Sequence, residues 1–136
     1  MFLLSWLARS GASAALSALL LTGLSGGAQA KEAAPTTTPA LAEIQLSELP
    51  AQAQETHRLI LAGGPFPHAK DGVVFGNRER ALPRQPRGFY HEYTVRTPGA
   101  RDRGARRIVC GGLEPQRPEA CFYTADHYAS FQQIVP

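Results

Sequence analysis

Four prolines and four glycines fall within residues 64–88, in the stretch "GPFPHAKDGVVFGNRERALPRQPRG". No long helix passes through such a segment, because each proline removes a backbone donor and clashes with the preceding turn, and each glycine gives up the most chain entropy on ordering. The segment reads as extended pieces joined by turns, so a helix has to precede it and a sheet has to follow it. Upstream, "SELPAQAQETHRLILAGG" (47–64) offers Ser47 as a cap and Pro50 in the first turn. Ala53, His57, Ile60 and Leu61 then recur at helical spacing before a Gly63–Gly64 stop, and one helix of about three turns is expected. His57 lies within that helix and needs no role. Downstream, "FYHEYTVRT" (89–97), "RRIVCGG" (106–112) and "CFYTADHY" (121–128) have strand character, and "SFQQIV" (130–135) is a fourth candidate. Loops short enough for hairpins imply an antiparallel meander. The expected fold class is α+β, one N-terminal helix packed on a twisted antiparallel sheet, with no internal repeat.

The amino terminus belongs to another category. Residues 1–30 carry one early charge, Arg9, then the apolar run "AALSALLLTGL", then small residues that suit cleavage after Ala30. This is the pattern of a secretory signal peptide; the run is short for a membrane span, and an uncleaved anchor is the alternative. "KEAAPTTTPALAE" (31–43) has no apolar periodicity and reads as a disordered leader, which leaves residues 44–136 as the folded domain. A secreted, extracellular protein without a membrane segment follows, and nothing in the sequence points to an oligomer. Export favours pairing of the two cysteines, Cys110 and Cys121, which flank the hairpin-like "GGLEPQRPEA"; two reduced buried thiols are the alternative. Without the signal, thirteen basic and eleven acidic side chains remain, but residues 78–107 hold nine arginines against Glu79, Glu92 and Asp102. Arginine in that density suits bidentate phosphate contacts, or merely a solvated basic face.

Within the first strand, alternation places Tyr90, Glu92 and Thr94 on one face and Phe89, His91, Tyr93 and Val95 on the other. Glu92 is expected on the more open face, where a carboxylate is ordinary. "ARRIV" on the neighbouring strand brings Arg107 to the same face, and "TADHYASF" delivers His127 near the end of a later strand. A carboxylate, a guanidinium and an imidazole on one sheet can act as general base, phosphate clamp and general acid, which is the set that cleavage of RNA without a metal or cofactor requires.

With those residues in view, "GPFPHAKDGVVFGNRERALP", "GFYHEYTVRTPGARDRGARRIV" and "YTADHYASF" resemble the bacterial guanyl-specific ribonucleases of the barnase-like microbial ribonuclease family, in order over about residues 44–134. The resemblance implies a general base at Glu92, a general acid at His127 and phosphate-binding arginines at Arg103 and Arg107. It also implies a phosphate-binding hydroxyl at Tyr128 and a guanine-binding loop made by Phe75, Asn77, Arg78 and Glu79. The implied substrate is single-stranded RNA, cut through a 2′,3′-cyclic phosphate, and DNA is excluded because it lacks the 2′-hydroxyl. Activity then has a bell-shaped pH profile, since base and acid must hold opposite protonation states. An acidic barstar-like protein inhibitor is implied as a partner. Gly76 departs from the family pattern, standing where close relatives carry a polar residue. A catalytically idle RNA-binding module and a toxin use of the same ribonuclease are the competing readings.

Overall fold

The computed structural model describes residues 40–136, so the signal and most of the leader lie outside the described residues. Chain order is β1 (Ala42–Gln45), a 3-10 turn (Leu46–Glu48), α1 (Ala51–Ala62), β2 (Val73–Val74), β3 (Tyr90–Thr94), β4 (Arg107–Gly111), β5 (Ala120–Thr124) and β6 (Gln132–Val135). The strands form one sheet in the order β1-β6-β5-β4-β3-β2. The expected antiparallel meander is β3 to β6, and β1 adds to β6 in parallel, Ile44 opposite Ile134. Strand pairing therefore begins at Ala42, inside the stretch read as leader and two residues ahead of the expected boundary. No local pattern marks β1, because its partner lies at the other end of the chain.

The helix ends as its sequence dictates: Gly63 takes a left-handed conformation (φ 80°), and the Gly63 and Gly64 N–H groups close on the carbonyls of Ile60 and Leu59. Its start differs from expectation. Pro50 is the N-cap residue and Ser47 sits in the preceding 3-10 turn. The buried stripe is Ala53, Thr56 and Ile60, and Leu61 is exposed, so the polar Thr56 occupies a core position. It is satisfied there, since its hydroxyl donates 3.1 Å to the Thr94 carbonyl of β3.

Side chains on the helix side of the sheet, Tyr93, Ile108, Cys110, Cys121 and Tyr123, make one core with Ala53 and Ile60. Ile108 is wholly buried there, and cutting it to alanine costs about 2–5 kcal/mol. Cys110 and Cys121 face each other across β4 and β5, 4.1 Å apart at Cα, and are joined by a disulfide. The opposite face is not the open surface expected from alternation. Tyr90, Val109 and Phe122 form a second core there with Leu82 and Phe131, brought over by loops and covering that end of the sheet. Gly111 permits this packing, because a Cβ there would collide with the Phe89 ring. Glu92 shares this half-covered face, and its side chain is 13% exposed.

Candidate active site

Register decides which groups meet. Glu92 pairs with Val109 and Thr94 with Arg107, so Glu92 and Arg107 lie on the same face of adjacent strands, one step apart. Arg107 is almost wholly buried, and its Nη1 donates to the carbonyls of Gly104 at 2.9 Å and Arg106 at 2.7 Å. Among the described residues no carboxylate pairs with it, and its Nε is a buried donor without an acceptor. The guanidinium that grips Glu92 is instead Arg103, with Nη2 2.9 Å from Oε1. Arg103 is aimed by Thr94, whose hydroxyl accepts from its Nε at 2.7 Å.

Thr94 is thereby a junction between scaffold and site. Its carbonyl accepts from Thr56 of α1, and its N–H donates 2.7 Å to the buried Asp71 carboxylate, which also accepts from the His68 N–H. Sequence reasoning assigns Thr94, Asp71 and Thr56 no part. The available signal is Thr56, a polar residue at helical spacing from Ala53 and Ile60; Thr94 lies on the strand face where a polar residue is ordinary and carries none.

The second oxygen of Glu92 accepts from the Tyr128 hydroxyl at 2.6 Å. Burial, followed by the hydrogen bond to Glu92 and the charge on Glu92, pushes the Tyr128 phenol up to about 12, with Arg107 and Arg103 pulling the other way. The hydroxyl therefore stays a donor throughout the ordinary pH range. In this structure Tyr128 contacts the carboxylate assigned as base, and its role toward phosphate is left to the bound substrate.

Tyr128 and its neighbour His127 both have positive φ, 73° and 54°, a region that non-glycine residues enter only at a cost. The turn that holds them is braced by β5 and by Asp126. The Thr124 hydroxyl accepts from the Tyr128 N–H at 3.1 Å, the His127 N–H reaches the Ala105 carbonyl, and Asp126 takes bonds from the Thr124 hydroxyl and from the N–H and hydroxyl of Ser130. The Ser130 hydroxyl, its N–H and then the Thr124 hydroxyl hold the Asp126 carboxyl below its ordinary range. His127 is left exposed at the mouth of the site, its ring 4.9 Å from that of Tyr128.

The loop expected to read a base forms the facing wall. Phe75 stacks on Tyr128 with ring centres 5.0 Å apart. Asn77, at φ 49°, closes the loop with its side chain, donating 2.9 Å to the Leu82 carbonyl and accepting 3.1 Å from the Leu82 N–H. The amide thus braces the loop, leaving the main-chain role expected of Asn77 to its backbone. Arg78 and Glu79 are exposed. A single cleft of about 470 Å³ is lined by Phe75, Asn77, Glu79, Glu92, His127 and Tyr128, so both halves of the expected site share one cavity. Arg103 and Arg107, the expected phosphate-binding pair, do not line it: Arg103 touches the cleft through its bond to Glu92, while Arg107 is buried against main-chain carbonyls. Among the described residues, no three His, Cys, Asp or Glu side chains converge as a metal site would need, and no helix is long and apolar enough to cross a membrane.

Comparison with known proteins converges on one family. A protein-family model described as ribonuclease matches residues 31–135. Guanyl-specific ribonuclease Sa3 of Kitasatospora aureofaciens is 54% identical over 95 residues, 70% of this chain and 64% of that protein, so the chain spans somewhat less than two thirds of that relative's length. Guanyl-specific ribonuclease Sa of the same organism is 55% identical over 65% of this chain and 88% of its own length. A crystal structure of ribonuclease Sa2 with guanosine-2′-cyclophosphate superposes with a TM-score of 0.65 at 50% identity, over 71% of this chain and 98% of that one. With a family model spanning nearly the whole domain and relatives at about half identity, this chain belongs to the ribonuclease family.

Proposed function

We propose that this protein is a secreted guanyl-specific endoribonuclease that cleaves single-stranded RNA on the 3′ side of guanosine, without metal or cofactor. The observation that carries the reading is the double grip on Glu92, by Arg103 on one oxygen and Tyr128 on the other, inside the cleft that also holds Glu79 and His127. The relatives named guanyl-specific ribonucleases support the choice of base.

In this mechanism Glu92 removes the proton from the ribose 2′-hydroxyl, and the oxygen so freed attacks the adjacent phosphorus. The bond to the departing 5′ oxygen breaks as His127 supplies it with a proton, leaving a guanosine 2′,3′-cyclic phosphate. Water then opens that ring with the roles reversed: His127 takes the proton from water, Glu92 returns one to the 2′ oxygen, and a 3′-phosphate results. Negative charge that builds on the phosphoryl oxygens is offset by Arg103, which holds Glu92, and at longer range by the buried charge of Arg107. Glu79 accepts from the N1 and N2 donors of guanine, while adenine presents a lone pair at N1 that repels it; the base is read by charge and not by size.

The test is cleavage of the dinucleotides GpC and ApC by the mature protein in excess EDTA. Wild type releases guanosine 2′,3′-cyclic phosphate from GpC and acts far more slowly on ApC. Glu92→Ala and His127→Ala, each verified as folded by circular dichroism, lose roughly 10²–10⁴-fold in rate. Binding of RNA without cleavage of either dinucleotide or of a long RNA would refute the assignment in favour of a binding module.

A further inference from the structure

The base-reading loop has two sides. Its inner side faces Glu92 and His127, and its outer side, from Val74 to Arg78, is a wall of a second cleft of about 550 Å³ that Gln85, Arg87 and Tyr90 complete. Residues 76–88 carry Arg78, Arg80, Arg84 and Arg87 against one acidic side chain, Glu79. All four arginines are exposed, and none has an ion-pair partner among the described residues. Arg58 and Arg117 behave differently, since each closes on a glutamate three residues away. Four like charges on so short a segment repel one another, and a polyanion laid along them removes that repulsion. The wall is also low. Gly76 is exposed and lines both clefts, and a Cβ there would meet only the Arg78 side chain, at 3.6 Å, so no side chain at position 76 stands between them.

We infer that this outer cleft is an upstream RNA subsite, in which Arg87 and Gln85 of its lining, with Arg84 next to Gln85 in the chain, take phosphates on the 5′ side of the bound guanosine. The inference rests on the endoribonuclease reading above, which also sets the strand polarity. His127 protonates the departing 5′ oxygen and lines the inner cleft but not the outer one, so the downstream nucleotide leaves past His127. The far side of the base loop is left to the upstream strand. The consequence is a substrate preference: guanosines within a chain, with phosphates before them, are cleaved faster than a guanosine at a 5′ end.

The experiment compares kcat/KM on GpC, on ApApGpC and on GpCpApA, for wild type and for the Arg84→Ala/Arg87→Ala double variant, at several salt concentrations. The 5′ extension should raise wild-type kcat/KM by roughly three- to ten-fold, as two exposed phosphate contacts allow. The double variant should lose that gain while cleaving GpC at the wild-type rate, which also reports that it is folded. Its salt dependence on ApApGpC should fall by about 0.7 in log–log slope per contact removed. The inference is overturned if 5′ extension brings no gain, if 3′ extension brings as much, or if the gain survives in the double variant. That last result holds even where the variant loses affinity for an acidic protein, which would assign the patch to a protein partner. A wild type unable to cleave GpC would instead overturn the endoribonuclease reading itself.

Discussion

Replacing Cys110 and Cys121 together by alanine separates what holds this domain together from what makes it reactive. The disulfide joins residues eleven apart in sequence, across the β4–β5 hairpin. Closing a loop of that size restricts the unfolded chain by an amount worth about 3 kcal/mol at room temperature in the chain-entropy treatment. For a domain of this size 1 kcal/mol corresponds to roughly 4–5 °C in Tm, so the double variant should melt about 12–15 °C below wild type. The two side chains are buried in the helix-side core, so the void left by the missing sulfur atoms adds to the loss. Wild type reduced under mild conditions keeps both sulfur atoms and isolates the entropic part. Thermal melting followed by circular dichroism reads both forms. Cleavage of GpC well below the melting range should stay within about two-fold of wild type, because the cysteines face the helix while Glu92 faces the other way. A fall in Tm of only a few degrees for both forms would refute the loop-closure reasoning. A large loss of activity with little loss of Tm would refute the separation of the two faces.

Tyr128 gives a pH dependence whose sign follows from its neutral form being favoured in the fold. The phenol is raised from its ordinary value to about 12, so the stability it contributes is fully present below about pH 10 and drains away as pH rises toward 12. Urea denaturation of wild type and Tyr128→Phe should show a constant difference up to about pH 10 that narrows above it; a difference unchanged at pH 12 would contradict this. Asn77→Ala removes both side-chain bonds to Leu82 and places alanine at φ 49°, so the base loop loses its brace and its favourable conformation. It should raise KM for GpC by roughly ten-fold with a smaller change in kcat, in keeping with about 1–1.5 kcal/mol of lost preorganisation. An equal fall in kcat with unchanged KM would place Asn77 in the chemistry instead.

Much of this architecture is legible in the sequence. The proline–glycine stretch forces helix and sheet apart, Gly63 stops the helix where expected, and alternation puts Glu92 and Arg107 on one face. What escapes is non-local. The β1–β6 pairing joins segments some ninety residues apart, and β2 is only two valines long, too short to carry a pattern. Alternation distinguishes the two faces of β3 but cannot report that loops carrying Leu82 and Phe131 cover the second of them. Of the residues singled out in the sequence, Phe75, Asn77, Arg78, Glu79, Glu92, His127 and Tyr128 come together in one cleft, but the pairing of the charged groups is not readable. Arg103 and not Arg107 meets Glu92 because the loop before β4 folds back over Thr94, a path fixed by hydrogen bonds and not by spacing.

The left-handed backbone at His127 and Tyr128 sets the terms on which this protein could cease to be an enzyme. Glycine at position 127 would relieve strain, worth about 1 kcal/mol, so under the proposed mechanism a change that abolishes proton transfer there makes the chain easier to fold. Mutation and stability thus push in the same direction there, away from activity. Under that mechanism, histidine at position 127 is held by demand for the reaction against the preference of its backbone. A lineage released from that demand should lose it early, to glycine or asparagine, and keep a well-folded protein with an intact, silent cleft.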